Sequence, residues 1–177
     1  MEDSKKKEFY PKNLRMGCHF YDGDTMEMDV YTSTTHDIER TKYLIPLRKE
    51  VLEAMGFEPV YDEYNHDMYF QRDYCGYRLR TYPMDGMISI TDLKYLHTVV
   101  NVKAEGLNEL ENFMYAVGLN PAFLFDNSNV IKEINKFGKE FFDYFDKWGR
   151  NLDEYMRKCQ LPTTKVVDLQ DHHRMNL

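Results

Sequence analysis

Five short segments rich in β-branched and aromatic residues follow one another between Phe57 and Ala104, and they constrain the fold more than any other feature. Their connections hold only a few residues, whereas a parallel strand pair needs a crossover of about a dozen or more. Asp85-Gly86 lies between two of them and favours a hairpin, because glycine accepts a positive φ. The sequence therefore predicts an antiparallel sheet of consecutive hairpins, with strands at 58–63, 67–75, 77–83, 86–91 and 96–104.

Another hairpin is predicted nearer the start of the chain. Asp22-Gly23 follows a short apolar segment and is a preferred type I′ turn. The residues after it alternate between apolar and acidic, which is typical of a half-buried antiparallel strand. The alternation places Met26, Met28 and Val30 on one face and Glu27 and Asp29 on the other.

A central helix is predicted between the first hairpin and the sheet. Thr34 or Thr35 is a suitable N-cap, and Gly56 is placed to end the helix. Pro46 lies inside this stretch and has no backbone N–H, so it either kinks the helix or divides it in two. The apolar residues at helical spacing are Leu44, Leu47, Val51, Leu52 and Met55.

The remainder of the chain has helical periodicity. One helix is predicted over 107–117, with Gly118 behind it, and a longer one over 128–159, with Pro162 behind it. Gly149 costs about 1 kcal/mol relative to alanine within a helix, so a break is expected there.

The order of these segments predicts an α+β fold. We expect an antiparallel sheet built from hairpins, with one central helix and a C-terminal helical segment packed on one face. The predicted organisation is a flexible charged arm (1–13), a single α+β domain (14–161) and a C-terminal tail (162–177).

Composition narrows the classes of function. A net charge of −7 argues against a general nucleic-acid binder, since phosphate binding relies on clustered Lys and Arg. No apolar run is long enough to span a bilayer, and no apolar signal core begins the chain. Three widely spaced cysteines are typical of free thiols in a reducing compartment, so a cytoplasmic location is predicted. Only four alanines accompany 14 tyrosines and 11 methionines, which indicates the A/T-rich genome of a low-GC bacterium, its phage or a mobile element.

The sequence contains none of the common catalytic or cofactor motifs, such as a phosphate-binding glycine loop or a His-Glu-x-x-His zinc site. Cys18-His19 and His172-His173 are the only local groups of metal-ligand type, and neither has the spacing of a structural zinc site. We therefore predict no cofactor, no metal site and no catalytic residue.

Two charged clusters are the candidate binding sites. Between Gly17 and Glu39 the chain carries no Lys or Arg but has six carboxylates, at Asp22, Asp24, Glu27, Asp29, Asp37 and Glu39. They form either an ordinary solvated face or an anionic surface that docks a basic protein partner. A second cluster predicts a cationic patch for a phosphate, a nucleotide or an acidic segment, through His66, Arg72, Arg78, Arg80 and Tyr82. Its alternative is that the arginines pair with Asp73 and other carboxylates across the sheet.

Three hypotheses about function follow. The leading one is a non-enzymatic interaction protein that binds and modulates or inhibits a protein partner through the acidic face. A second is a small-ligand or nucleotide-binding domain, either a binding module or an enzyme, that uses the arginine and aromatic patch on the sheet. A third is a structural subunit of a larger assembly such as a virion. The aromatic stripe of 137–148 is either core or, where exposed, a contact between copies of the chain.

Overall fold

The computed structural model describes residues 11, 14–32, 41–64, 66–149 and 152–160. Within them the chain is α+β, as predicted, with two antiparallel sheets and four α-helices. The strands are β1 (His19–Asp22), β2 (Met28–Val30), β3 (Lys42–Tyr43), β4 (Glu58–Asp62), β5 (Asp67–Tyr74), β6 (Tyr77–Tyr82), β7 (Met87–Asp92) and β8 (His97–Lys103). The helices are α1 (Lys49–Ala54), α2 (Leu107–Ala116), a 3-10 helix (Pro121–Phe125), α3 (Asn129–Trp148) and α4 (Leu152–Gln160).

The larger sheet is an antiparallel meander in the order β4-β5-β6-β7-β8. Every strand end lies within one residue of its predicted position. The tightest turn, between β5 and β6, is formed by Cys75 and Gly76 with φ of 49° and 80°, as a type I′ turn requires. Asp85-Gly86 does join two strands, but within a four-residue connection between Tyr82 and Met87.

The smaller sheet has the order β2-β1-β3 and contains the predicted first hairpin. In its register, His19 pairs with Val30 and Tyr21 with Met28. The predicted type I′ turn is wrong, because the positive φ of 58° falls on Met26 instead of Gly23. Gly23 is needed for another reason, since a Cβ there would lie 2.8 Å from the carbonyl oxygen of Thr41.

The central helix is not continuous over the described part of its predicted range, residues 41–56. There the chain forms strand β3 at Lys42–Tyr43, is extended into a bridge between Pro46 and Gly106, and is helical at Lys49–Ala54. Proline has no N–H to donate and disfavours helical angles at the residue before it, so Pro46 opposes helix formation in residues 41–48. The proposed caps Thr34 and Thr35 lie outside the described residues.

The later helices follow the predicted pattern. A positive φ at Gly118 follows α2, and a positive φ of 85° at Gly149 separates α3 from α4, where a break was expected. The predicted arm (1–13) and tail (162–177) fall outside the described residues except for position 11, so the flexible arm and the C-terminal tail stay predictions.

The five-stranded sheet has two unlike faces. One face supplies Phe70, Leu79, Ile88 and Ile90, each at most 1% exposed, to a core shared with the helices. The other face, which we call the open face, carries mostly polar and charged side chains. Ordered across the five strands, its central row is Glu58, Gln71, Arg80, Ser89 and Asn101.

Candidate functional site

The carboxylates proposed as an acidic docking surface have different environments. Asp22 is only 3% exposed, and its Oδ1 accepts hydrogen bonds from the backbone N–H of Asp24 at 2.7 Å and of Thr25 at 3.2 Å. It therefore shapes the turn instead of facing solvent. Asp24, Glu27 and Asp29 are exposed, and we call these three residues the acidic hairpin surface. The other two proposed residues, Asp37 and Glu39, lie outside the described residues.

Helix α3 fixes the backbone of this hairpin. The hydroxyl of Tyr21 donates to the carbonyl oxygen of Ile134 at 2.7 Å, and the Met28 N–H donates to Asn135 Oδ1 at 2.8 Å. One turn further along α3, a Cβ at position 138 would overlap the carbonyl oxygen of Met26, so only glycine permits this approach. The acidic hairpin surface is thus held on a rigid element.

A lysine lies beside the hairpin on the neighbouring strand. Lys42 pairs with Asp22 in the β1–β3 register. Its ammonium lies 5.8 Å from the ring centroid of Phe20 and 6.0 Å from that of Tyr31. The hairpin itself carries no Lys or Arg between Met16 and Thr32, but β3 brings one cation to its edge.

The structure divides the arginine patch between the two faces of the sheet. Arg78, Arg80 and Tyr82 share the open face, as the alternation predicts. Arg72 pairs with Leu79 and lies on the opposite face, where its guanidinium donates to the carbonyl oxygen of Met55.

The histidine proposed for that patch is also separated from the two arginines of the open face. Nearby Tyr74 lies on the covered face, where it stacks on Phe123 with 3.6 Å between ring centroids. His66 lies in the β4–β5 turn, with its Nδ1 3.3 Å from the hydroxyl of Tyr61.

The two arginines of the open face are bound differently. Arg78 forms the ion pair that the sequence offered as an alternative, donating to both oxygens of Asp73 at 2.8 and 2.9 Å. This hydrogen bonding lowers the pKa of the Asp73 carboxyl. Arg80 donates instead to the neutral amide of Gln71 at 2.9 Å, and its guanidinium lies 5.0 Å from the ring centroid of Tyr69.

Arg80 borders a shallow depression of about 360 Å³ on the open face. Its walls carry mainly hydroxyl and amide groups, with one guanidinium from Arg80 and one carboxylate from Asp85. The residues that form it are Arg80, Tyr82, Asp85, Met87, Ser89, Thr91, Thr98 and Asn101.

A buried polar cluster between β1 and α2 was not found from the sequence. Glu111 is 1% exposed, and its Oε1 lies 2.5 Å from His19 Nδ1. Cys18 donates from Sγ to Asn112 Oδ1 at 3.3 Å. Adjacent Cys18 and His19 therefore contact different partners. The signal for this cluster was a polar row at helical i, i+3 and i+4 spacing, which consists of Asn108, Glu111 and Asn112.

The chemistry of Cys18 follows from its burial. Burial, and then the nearby Glu111 carboxylate, raise the pKa of the thiol to about 11. A thiol with such a pKa stays protonated near neutral pH, and the thiolate is the nucleophilic form. Cys18 is therefore a structural residue. Cys75, by contrast, is exposed in its turn.

The aromatic stripe of 137–148 is mostly core. Phe137, Phe141 and Phe145 are at most 6% exposed, whereas Trp148 at the end of α3 is 68% exposed. A contact between copies through this helix would therefore rely on the indole of Trp148.

Within the described part of the chain, no group of three or more His, Cys, Asp or Glu side chains is placed to hold a metal ion. None of the described helices is long and apolar enough to cross a membrane. No protein-family model, curated protein or solved structure matches this chain.

Proposed function

We propose that this protein is a non-enzymatic interaction protein that binds and modulates a protein partner through the acidic hairpin surface. The observation that carries the proposal is the attachment of this hairpin to α3 through Tyr21, Met28 and Gly138. A surface already held in its binding conformation loses less conformational entropy when a partner docks.

The chemistry of the surface favours a basic partner. Asp24, Glu27 and Asp29 place three carboxylates within six residues of one hairpin. Clustered charge of one sign steers a partner of opposite charge and accelerates association at low ionic strength. We expect the complex to weaken as salt is added, because the contributing charges are exposed.

The composition of the chain and the free cysteines at positions 18, 75 and 159 support a proposal about where the protein acts and which genome encodes it. We propose that the protein acts in the cytoplasm of a low-GC bacterium and is encoded by a phage or another mobile element.

The test is capture of partners from such a lysate with two matched charge-reversal variants. The first replaces Asp24, Glu27 and Asp29 by Lys, and the control replaces Glu63, Asp143 and Asp146, which are exposed elsewhere. Both variants change the net charge from −7 to −1, because each reversal adds two charges. Only the position of the altered charges distinguishes them.

The proposal requires one protein to be captured by the wild type and the control variant and lost from the hairpin variant. Equal capture by all three proteins would refute the acidic hairpin surface as the docking site. Loss from both variants would mean that net charge alone governs the interaction, which also contradicts the proposal.

A second candidate function is supported by the depression on the open face. In the contacts described above, Arg80 is paired with the neutral amide of Gln71 and not with a carboxylate. Its guanidinium is therefore the group that would bind the phosphate of a nucleotide in this depression, with Tyr82 beside it. A bound ligand must raise the apparent stability of the folded protein. Millimolar ATP should therefore raise the Tm of the wild type but not of Arg80→Gln, whereas an equal or absent shift in both would exclude this site.

A further inference from the structure

A second cavity, of about 300 Å³, lies at one end of the five-stranded sheet. It is formed where the β6–β7 connection, the end of β8 and helix α4 meet. This volume is at the lower end of the range for small-molecule sites, so only a small ligand fits. Arg80 is not among its lining residues, and neither is any residue of the acidic hairpin surface.

The inner wall of this cavity is built from buried side chains, of which Thr81 is polar and the others are apolar. Leu47, Ala104 and Met156 are 2%, 3% and 8% exposed and belong to the core. Met84 and Met87 add two more thioether side chains to the lining. Methionine is unbranched and polarizable, so it adapts its shape to different apolar ligands.

The rim of the cavity carries two acidic and two basic side chains, and both acids have contacts within the protein. The Asp85 side chain hydrogen-bonds to the carboxyl group of Asp67. The Glu105 side chain lies over Gly86, with its Cγ 3.3 Å from where a Cβ would be.

The two bases of the rim, Lys103 and Arg157, are exposed. Neither has an ion pair with a carboxylate among the described residues. The cations that are available at this rim therefore favour an anionic group, and Arg157 can bind a carboxylate through two parallel hydrogen bonds.

We propose that this cavity binds a small carboxylic acid with an apolar chain. The chain lies against Leu47, Met84 and Met156, and the carboxylate is bound by Lys103 and Arg157. The two parts of the site recognise the two ends of one amphipathic molecule. This inference is independent of the partner-binding function, because it uses none of the same residues.

The test uses hexanoate as the probe and 1-hexanol as its neutral analogue. Both are titrated into the full-length protein carrying 13C-labelled methionine methyl groups. We expect the methyl signals of Met84, Met87 and Met156 to shift with hexanoate, while that of Met16, which is outside the cavity, stays in place. Single Met→Leu variants assign the signals.

Charge variants test the basic rim of the cavity separately from its apolar side chains. Arg157→Gln, combined with Lys103→Gln, should weaken hexanoate binding about tenfold, since hydrogen bonds to charged groups are lost. Binding of 1-hexanol should be unchanged. Ala104→Leu should abolish binding of both probes by filling the cavity. If that variant does not fold, the two charge substitutions at exposed positions still decide the question.

Three results would overturn the proposal. One is the absence of a shift in the three cavity methyl groups at millimolar hexanoate. Another is equal affinity of wild type and double charge variant for hexanoate. The third is tighter binding of hexyl phosphate than of hexanoate, which would assign the rim to phosphate instead of carboxylate.

Discussion

Glu111 binds both the side chain and the backbone of His19. Its Oε1 lies 2.5 Å from Nδ1 of the imidazole, and its Oε2 accepts the backbone N–H at 2.9 Å. Glu111 is 1% exposed and His19 has 15% of its side chain exposed. The pair therefore joins helix α2 to strand β1, with the Glu111 carboxylate buried and the imidazole partly buried.

Replacing His19 by Ala should destabilise the protein by about 3 kcal/mol, because a buried carboxylate is left without its side-chain partner. Urea unfolding measures the change. The matched control is Glu53→Ala, which breaks the exposed Lys49–Glu53 pair at 4.0 Å and should cost less than about 0.5 kcal/mol. Similar losses in the two variants would contradict a structural role for the buried pair.

The position of Arg72 shows what the sequence could and could not predict. Strands 67–75 and 77–83 were placed correctly from composition and alternation, with Gly76 as the only residue between them. The actual turn contains Cys75 and Gly76, so Arg72 pairs with Leu79 instead of Arg80. A shift of one residue moves a side chain to the other face, and this divided the arginine patch.

Other elements depended on contacts that no local pattern records. The buried cluster of α2 exists because β1 packs on that helix, and β3 pairs with β1 in place of the predicted helix. By contrast, the separation of α3 from α4 followed from Gly149 itself, whose positive φ is a local property. The break at Gly149 was therefore predictable from the local sequence, whereas the burial of polar residues required the three-dimensional arrangement.

The cysteines should differ sharply in reactivity. Cys75 is exposed and should react with a thiol reagent at once at pH 8, whereas buried Cys18 should react only on unfolding. Cys75→Ser should remove the fast phase, and Cys18→Ser should leave it intact. A fast phase that survives in Cys75→Ser would show that another thiol is accessible.

The raised pKa of Cys18 also has a consequence for stability. The pKa of about 11 in the folded protein is above the usual 9.0. The favourable contribution of the Cys18 thiol to the free energy of unfolding is therefore complete below pH 9, and it is lost as the pH rises towards 11. We expect the difference in unfolding free energy between wild type and Cys18→Ala to shrink over this interval. A difference independent of pH would contradict this titration.

Thr81 is a buried residue whose hydroxyl has no hydrogen-bond partner among the described residues. Thr81→Val keeps the shape and removes the unsatisfied group, so it should stabilise the protein by about 1 kcal/mol. The control is Thr91→Val, where Oγ1 lies 3.3 Å from Thr98 Oγ1 at a more exposed site. It should change stability by less than about 0.5 kcal/mol in either direction. Destabilisation by Thr81→Val would mean that the hydroxyl is bonded in solution.

Asp67 and Asp73 should respond to pH with opposite signs. Burial, together with the nearby Asp85, raises the pKa of Asp67. The contribution of Asp67 to the stability of the folded protein is therefore favourable at acid pH, and it is lost as the pH rises. Asp67→Asn should therefore stabilise the protein at pH 7 and not at pH 3. The Arg78 hydrogen bonds lower the pKa of Asp73, so Asp73→Asn should destabilise at pH 7 and become neutral in acid. Unfolding curves at both pH values test the signs, and equal behaviour of the two variants would contradict both assignments.

Gly138 connects the packing of the protein to its proposed function. In an ordinary helix, alanine is favoured over glycine by about 1 kcal/mol. At this position, however, the new methyl would overlap the carbonyl oxygen of Met26 and would lie 3.0 Å from the ring of Tyr21. Gly138→Ala should therefore destabilise the protein by about 2 kcal/mol, as overpacking does, and displace the acidic hairpin from α3.

The matched substitution is Glu133→Ala on the same helix, which should change stability by less than about 0.5 kcal/mol. Thermal unfolding measures both variants, and partner capture at a temperature where both remain folded measures the consequence. Because the hairpin is held by this contact, Gly138→Ala should reduce capture even though every carboxylate is retained. Normal capture by a destabilised Gly138→Ala would mean that the charges suffice and that rigid attachment to α3 is not required.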